Sequence, residues 1–277
     1  MKLTPLRRSF YKKICILAAL ILCLPCFAVP SEAADFAVTS PWVSFIAEFI
    51  VGDKGGVRPL SVWTPSGYPS AVGRPRASEF VIALDEKDAA RFRVTKNSKK
   101  LCLLYKTMPM TEAEFIRGFF DPATLPFIAQ NIMKAVSSAD PKRYAFYQRR
   151  LAEFQSRIDS TQEIGSYLIT KQNILDLTGA EGYWVRSAVR STVRPPDSVW
   201  KSWLAGDAKA LKAACDEAAR RKWLILLDVW TPPQIRAIAV NYENRLTLSP
   251  PVGGQDYFVF LHNIFLAIND KAKKGVK

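Results

Sequence analysis

Two Asp-Pro steps nineteen residues apart constrain this chain more than any other feature, because each starts a helix at a fixed place. Asp121-Pro122 and Asp140-Pro141 put a carboxylate where it accepts from unpaired first-turn N–H groups, and a ring where an N–H would be unpaired anyway. After the first step, Leu125, Ile128, Ile132 and Ala135 recur at spacings of three and four. After the second come Tyr144, Tyr147, Leu151, Phe154 and Ile158 at the same period, with Arg149, Arg150, Glu153, Arg157 and Asp159 on the other faces. The pattern predicts a long second helix, half exposed and packed on one side only.

Strand and helix signals alternate on both sides of this pair. Phe36–Ser40 reads as a strand, Trp42–Ile50 as a helix, Gly52–Gly56 as a turn and Val57–Val62 as a second strand. Thr64–Ala77 is loop by composition, Phe80–Leu84 is ambiguous, and Leu101–Tyr105 is a buried-strand candidate. Beyond the long helix, Tyr167–Thr170 reads as a strand, and Ile174–Leu177 with Gly179 and Gly182 as a helix and its end. A helix over Asp207–Arg221, the continuous apolar strand Lys222–Val229, a helix over Gln234–Val240, a strand at Arg245–Leu248 and a helix over Tyr257–Ile268 follow. The alternation implies an α/β fold with two parallel-sheet lobes. The boundaries are 35–139 for the first lobe, 140–165 for the connecting helix and 166–277 for the second lobe.

The order of motifs resembles a known family. A short aromatic turn ending in Asp-Pro (Arg117-Gly118-Phe119-Phe120-Asp121-Pro122), a helix holding Asn131-Ile132, then Asp140-Pro141 and a Tyr-containing long helix is similar to the zinc and manganese (TroA-like) substrate-binding proteins of bacterial ABC transporters. The opening strand ending in Thr39-Ser40 and the closing helix with Tyr257 and Asn263 fit the same pattern. The resemblance implies two α/β lobes joined by a rigid helical rod, and capture of a solute for delivery to an ABC permease.

The family's metal ligands do not follow. Its pattern places three histidines and a carboxylate at positions that match Ser70, Arg117, Lys171 or Gln172, and Leu248 or Ser249 here. The chain has one histidine, His262, on the apolar last helix, so a three-histidine zinc site is impossible by count. Arg117 and Lys171 would repel a bare divalent cation. Arginine instead offers bidentate recognition of carboxylate or phosphate. The resemblance therefore implies a degenerate metal site, with Ser70, Arg117, Lys171, Gln172 and Ser249 lining a cleft for a small solute, an anion or a metal complex. The alternative is an accessory protein that docks on another envelope component and binds no solute. No cofactor is expected. The chain lacks a nucleophile elbow, a phosphate-cradling glycine loop and a Cys/His pair, and is not expected to be an enzyme.

Residues 1–34 read as a secretory signal: Lys2, Arg7, Arg8, Lys12 and Lys13, then the apolar run Ile14–Val29, then small residues to a cleavage point near Ala33 or Ala34. The run is shorter than the ~20 residues that span a bilayer. An exported, periplasmic protein is expected. Three of five cysteines fall in that segment, leaving Cys102 and Cys215, each in an apolar setting. The net charge of +14 raises the question of nucleic acid, but the basic residues are scattered and no nucleic-acid motif accompanies them. A basic surface facing an anionic envelope is the expected meaning.

Overall fold

A computed structural model describes residues 34–275 except Lys54, Lys96 and 107–115. The expected signal segment, residues 1–33, lies outside the described residues. The first lobe runs β1 (Phe36–Val38), α1 (Pro41–Val51), β2 (Val57–Pro59), β3 (Ser61–Trp63), β4 (Pro69–Ala71), β5 (Phe80–Ala83), α2 (Glu86–Arg91) and β6 (Leu101–Leu103). It closes with α3 (Leu125–Ala139). Its main sheet has the order β2-β1-β5-β6, all parallel, with Phe36 opposite both Val57 and Phe80. The buried strand residues are apolar on both faces, as helix-covered parallel sheets require.

Asp121 does not cap α3 directly. Its carboxylate accepts from Ala123 N at 3.0 Å and from the Thr124 hydroxyl at 2.8 Å, closing a turn that hands the helix start to Leu125. Asp140 opens a short 3₁₀ turn over Pro141–Arg143 before α4 (Tyr144–Ile169). The Tyr147 hydroxyl donates to Asp140 at 3.0 Å; burial and this neighbouring carboxylate push the phenol up to about 12.

The helix α4 is 26 residues long, or roughly 39 Å at 1.5 Å per residue. Its buried positions Tyr147, Phe154, Ile158, Thr161, Gly165 and Ile169 keep helical spacing to the end. Tyr167–Thr170, expected as the second lobe's first strand, therefore belongs to the helix. Its apolar residues continue the helical stripe through Ile169, while Tyr167 points outward and is 84% exposed. Arg150 of α4 and Arg143 of the turn before it reach to the end of α1, donating to Phe49 O at 2.9 Å and Val51 O at 3.4 Å. These arginines satisfy carbonyls that a helix C-terminus leaves open.

The second lobe follows with β7 (Ile174–Asp176), α5 (Gly182–Ala188), β8 (Thr192–Val193), α6 (Asp197–Leu204), α7 (Ala208–Arg220), β9 (Leu224–Leu227), α8 (Pro233–Ala239), β10 (Arg245–Thr247) and α9 (Tyr257–Gly275). Its sheet order is β10-β9-β7-β8, again parallel. Ile174–Asp176, expected as helical, is a central strand: three consecutive buried residues between neighbours on both sides. The loop expected over Thr64–Ala77 holds a hairpin arm, with β3 and β4 paired antiparallel through Val62 and Ser70.

The fold is thus two parallel α/β lobes joined by a long helix. Helix α4 packs on α1 and α3 in one lobe and on α9 and α5 in the other. One apolar core runs from Phe36 through Phe154 to Ile268 and belongs to both lobes. A smaller cluster backs the second sheet around Leu177, Leu211, Ile225 and Ile235.

Candidate functional site

Parallel α/β sheets offer their binding crevice beyond the carboxyl ends of the strands, where the strand order reverses. In the first lobe that point lies between β1 and β5. After β1 the chain turns through Thr39 and Ser40 into α1; after β5 it turns through Leu84 and Asp85 into α2. The Thr39 hydroxyl donates to Asp88, and Ser61 donates to the Thr39 carbonyl. Asp88 also accepts Leu84 N at 3.1 Å, and Asp85 caps α2 by accepting Asp88 N at 2.7 Å. Between these turns lies a pocket of about 340 Å³. Trp42, Trp63, Tyr68 and Trp230 form its aromatic wall, and Asp85 and Asp88 its acidic side.

Trp230 comes from the second lobe. Its indole N–H donates to Gly67 O at 3.1 Å, a bond that crosses between the lobes. Its ring lies 5.7 Å from Trp42 and 6.3 Å from Trp63, and those two meet edge-on at 4.5 Å. Phe119 stacks on Trp42 at 5.0 Å, and Phe120 meets Trp230 at 5.9 Å. The Tyr257 hydroxyl donates to Phe119 O beneath them. The seam between the lobes is filled by aromatic rings.

At the carboxyl edge of the second sheet, three buried carboxyl groups have separate duties. Asp228, directly after β9, accepts N–H groups from Gly179 at 2.8 Å, Ala180 at 2.8 Å, Glu181 at 3.0 Å and Trp230 at 3.1 Å. Its acceptor capacity is spent on stapling two loops together. Asp176, at the end of β7, accepts Thr178 N at 2.9 Å and the Thr178 hydroxyl at 2.7 Å, and pairs with Arg186 and with Arg194, the latter at 3.5 Å. Glu181 is fully buried, and neither carboxyl oxygen has a donor among the described residues. Burial, reinforced by Asp228, raises its pKa well above the ordinary carboxyl value. No group of three or more His, Cys, Asp or Glu side chains among the described residues is arranged to hold a metal ion. His262 is half-buried on α9.

The five cleft residues expected from the sequence are not brought to one place. Ser70 is exposed on β4. Ser249 is exposed just after β10, and the same loop returns to the first lobe, where a Cβ on Gly253 would lie 3.8 Å from Val62, the partner of Ser70. Arg117 is exposed, on the helical residues 116–118 before Phe119-Phe120, and its charge adds to the burial that lowers the Arg194 pKa. Lys171 and Gln172 follow the end of α4 and precede β7. They therefore sit at the amino end of that strand, away from the crevice edge where Ser249 lies. Their assignment depended on reading Tyr167–Thr170 as the strand; the residues that follow the true strand are Leu177 and Thr178. Leu248 is buried.

The pocket's aromatic residues and the carboxylates at strand ends were not expected as site groups. A signal existed for some of them: Trp42 follows the first strand by four residues, and Asp228-Val229-Trp230 closes the most strand-like run in the chain. Residues just past parallel strands are where a crevice collects its side chains.

Comparison with known proteins places this geometry. No protein-family model matches the sequence, and no curated protein matches it. Solved structures do. ZnuA superposes with a TM-score of 0.57 at 14% identity, over 86% of this chain and 99% of that one. A cadmium-bound periplasmic metal-binding protein from Candidatus Liberibacter asiaticus gives 0.57 at 13%, over 86% and 99%. The periplasmic zinc-binding protein TroA from Treponema pallidum gives 0.55 at 13%, over 86% and 99%. Among the described residues no helix is long and apolar enough to cross a membrane. The chain has the two-lobed fold of ZnuA and TroA.

Proposed function

We propose that this protein is an exported solute-binding protein of the metal-importer type that has exchanged a bare cation for an organic solute, either one with an acidic group or one carried as a metal complex. Its partner is an ABC permease of the inner membrane, to which it delivers that solute. The observation that carries this reading is the chemistry of the interlobe seam. Indole and phenyl rings occupy it, and the buried aspartates nearby, Asp228 and Asp176, are committed to backbone N–H groups and arginines. A hard or borderline cation needs oxygen, nitrogen or thiolate ligands free to coordinate it. An organic solute needs apolar walls with a few polar anchors, as the 340 Å³ pocket offers. Arg117, next in the chain to Ile116 of the pocket lining, is the cation proposed to meet an acidic group.

The closed seam also favours a second reading, an accessory protein that docks without binding a solute. The Trp230–Gly67 bond and the shared core hold the lobes together. Thermal unfolding of the purified protein against divalent metals, organic anions and metal chelates separates the two. Stabilisation by an anion or chelate, reduced in Arg117→Ala, supports the proposal. Tight stoichiometric zinc or manganese overturns it, and no response to any member of the panel transfers the case to the docking protein.

A further inference from the structure

Resting on the reading of the interlobe seam as a solute site, we propose that the acidic group of that solute is a phosphoryl group, a phosphate or phosphonate, which Arg186 and Arg194 grip beside Arg117. The two arginines of the second lobe share one counter-charge. Asp176 is fully buried at the end of β7, and the Nη1 atoms of Arg186 and Arg194 approach the same oxygen, Oδ2, the latter at 3.5 Å. Its other oxygen, Oδ1, accepts Thr178 N at 2.9 Å and the Thr178 hydroxyl at 2.7 Å. Asp176 is thus enclosed and fully engaged. Among the described residues it is the one carboxylate in ion-pair contact with either arginine.

Each guanidinium is fixed by one nitrogen and one face. Arg194 Nη1 also donates to Thr178 O at 2.7 Å, and the group lies 4.2 Å over the Trp200 ring. Arg186 lies 4.2 Å over the Tyr183 ring. The Nε and Nη2 atoms of both have no acceptor among the described residues, and none of the four is sealed from solvent. Each side chain is 21% exposed. The open edge, Nε with Nη2, is a fork that takes an oxyanion through two parallel hydrogen bonds.

Both charges lack compensation. Burial, and after it the charge of Arg194, brings the Arg186 guanidinium down to about 10, and Asp121 offsets only part of this. Arg194 is lowered too, by burial first, with Arg117 adding to the effect and Tyr183, Asp228 and Asp197 opposing it. An oxyanion replaces the solvation that burial removed. A carboxylate brings one charge on two oxygens, whereas a phosphoryl group brings about two charges on three oxygens at pH 7, enough for two forks.

The cluster also lies where a solute in the seam would reach it. Arg117 and Asp121, whose charges act on Arg194 and Arg186, belong to the first lobe, and Ile116 beside Arg117 lines the aromatic pocket. Gly179 follows the Thr178 that anchors Arg194, and a Cβ on it would meet the backbone of Trp230, another residue of that pocket.

Phenyl phosphate, inorganic phosphate and benzoate test the group apart from the body that carries it, each titrated into the purified protein by calorimetry. Phenyl phosphate should bind at least about tenfold more tightly than benzoate. Its affinity should rise from pH 5 to pH 7.5, as the phosphoryl group loses its second proton near about 6, and benzoate should show no such rise. Arg186→Lys and Arg194→Lys keep the charge and remove the fork, and each should weaken phenyl phosphate at least about tenfold. The order of the probes in the wild type holds whether or not a variant folds. Inorganic phosphate that matches phenyl phosphate supports the phosphoryl site and makes the free ion its source. Benzoate bound as tightly as phenyl phosphate overturns the phosphoryl group and leaves the acidic-solute reading standing. Phenyl phosphate bound equally by the wild type and both lysine variants overturns the site. Silence from both phosphoryl probes overturns the proposal outright, while the organic anions and chelates of the wider panel then decide the solute reading.

Discussion

Glu181 carries an unanswered electrostatic cost in the second lobe. Its carboxyl group is enclosed, faces the charge of Asp228, and receives no donor among the described residues, whereas Asp228 takes four backbone N–H groups. An ionised carboxylate in that position would be desolvated without compensation, so the folded state keeps the proton. The consequence for stability follows from linkage. With the folded pKa above the unfolded one, the native state binds more protons than the unfolded chain, and stability falls as pH rises from about 4.5 toward the raised value. Within that window the slope attributable to one group is about 1.4 kcal/mol per pH unit. Glu181→Gln keeps the shape and removes the titration. The variant should gain stability relative to wild type between pH 5 and pH 8, measured by urea unfolding at both values; a difference that does not change with pH would show that Glu181 is not titrating there.

At the scale of elements, the length and amphipathicity of α4 were legible in the sequence because its stripe is regular and its start is marked. Its end was not. Tyr167–Thr170 holds bulky and β-branched residues that suit a strand, and only the continuation of the buried stripe through Thr161, Gly165 and Ile169 assigns it to the helix. That misreading also moved Lys171 and Gln172 to the wrong end of β7. The same stripe explains a glycine in mid-helix. A Cβ on Gly165 would lie 2.2 Å from the ring of Phe265, so α9 crosses α4 where a side chain is missing. In an isolated helix, alanine would gain about 1 kcal/mol over glycine. Here the sign should reverse: Gly165→Ala is expected to destabilise by about 1–3 kcal/mol in urea unfolding, as overpacked contacts do. Pairing it with Phe265→Leu should recover part of the loss. Stabilisation by Gly165→Ala alone would mean that the two helices are free to separate.

The described residues form one packing unit built on two four-stranded parallel sheets. The two-lobed plan was legible from alternating strands and helices, since each element carries its own period. The closure of the seam was not, because contacts such as Trp230 with Gly67 join residues far apart in sequence, and no local pattern announces them. Those contacts, with Phe45 stacked on Tyr257 across the lobes, tie both halves to one core. Gly67 is the narrowest point of this union. Its φ of +80° is favoured by glycine, and a Cβ there would lie 2.4 Å from Val229 and 3.2 Å from Trp230. Gly67→Ala should therefore strain the hairpin turn and push against both Val229 and Trp230, a strain that Trp230→Ala relieves only in part. The wild type is expected to unfold in a single transition seen identically by tryptophan fluorescence and by far-UV circular dichroism. In Gly67→Ala the fluorescence transition should move to lower urea, and the loss should be smaller when the substitution is made in a Trp230→Ala background, because one of the two clashing side chains is gone. Strict additivity of the two substitutions would place Gly67 and Trp230 in independent roles, and the seam would then owe its closure to the shared core alone.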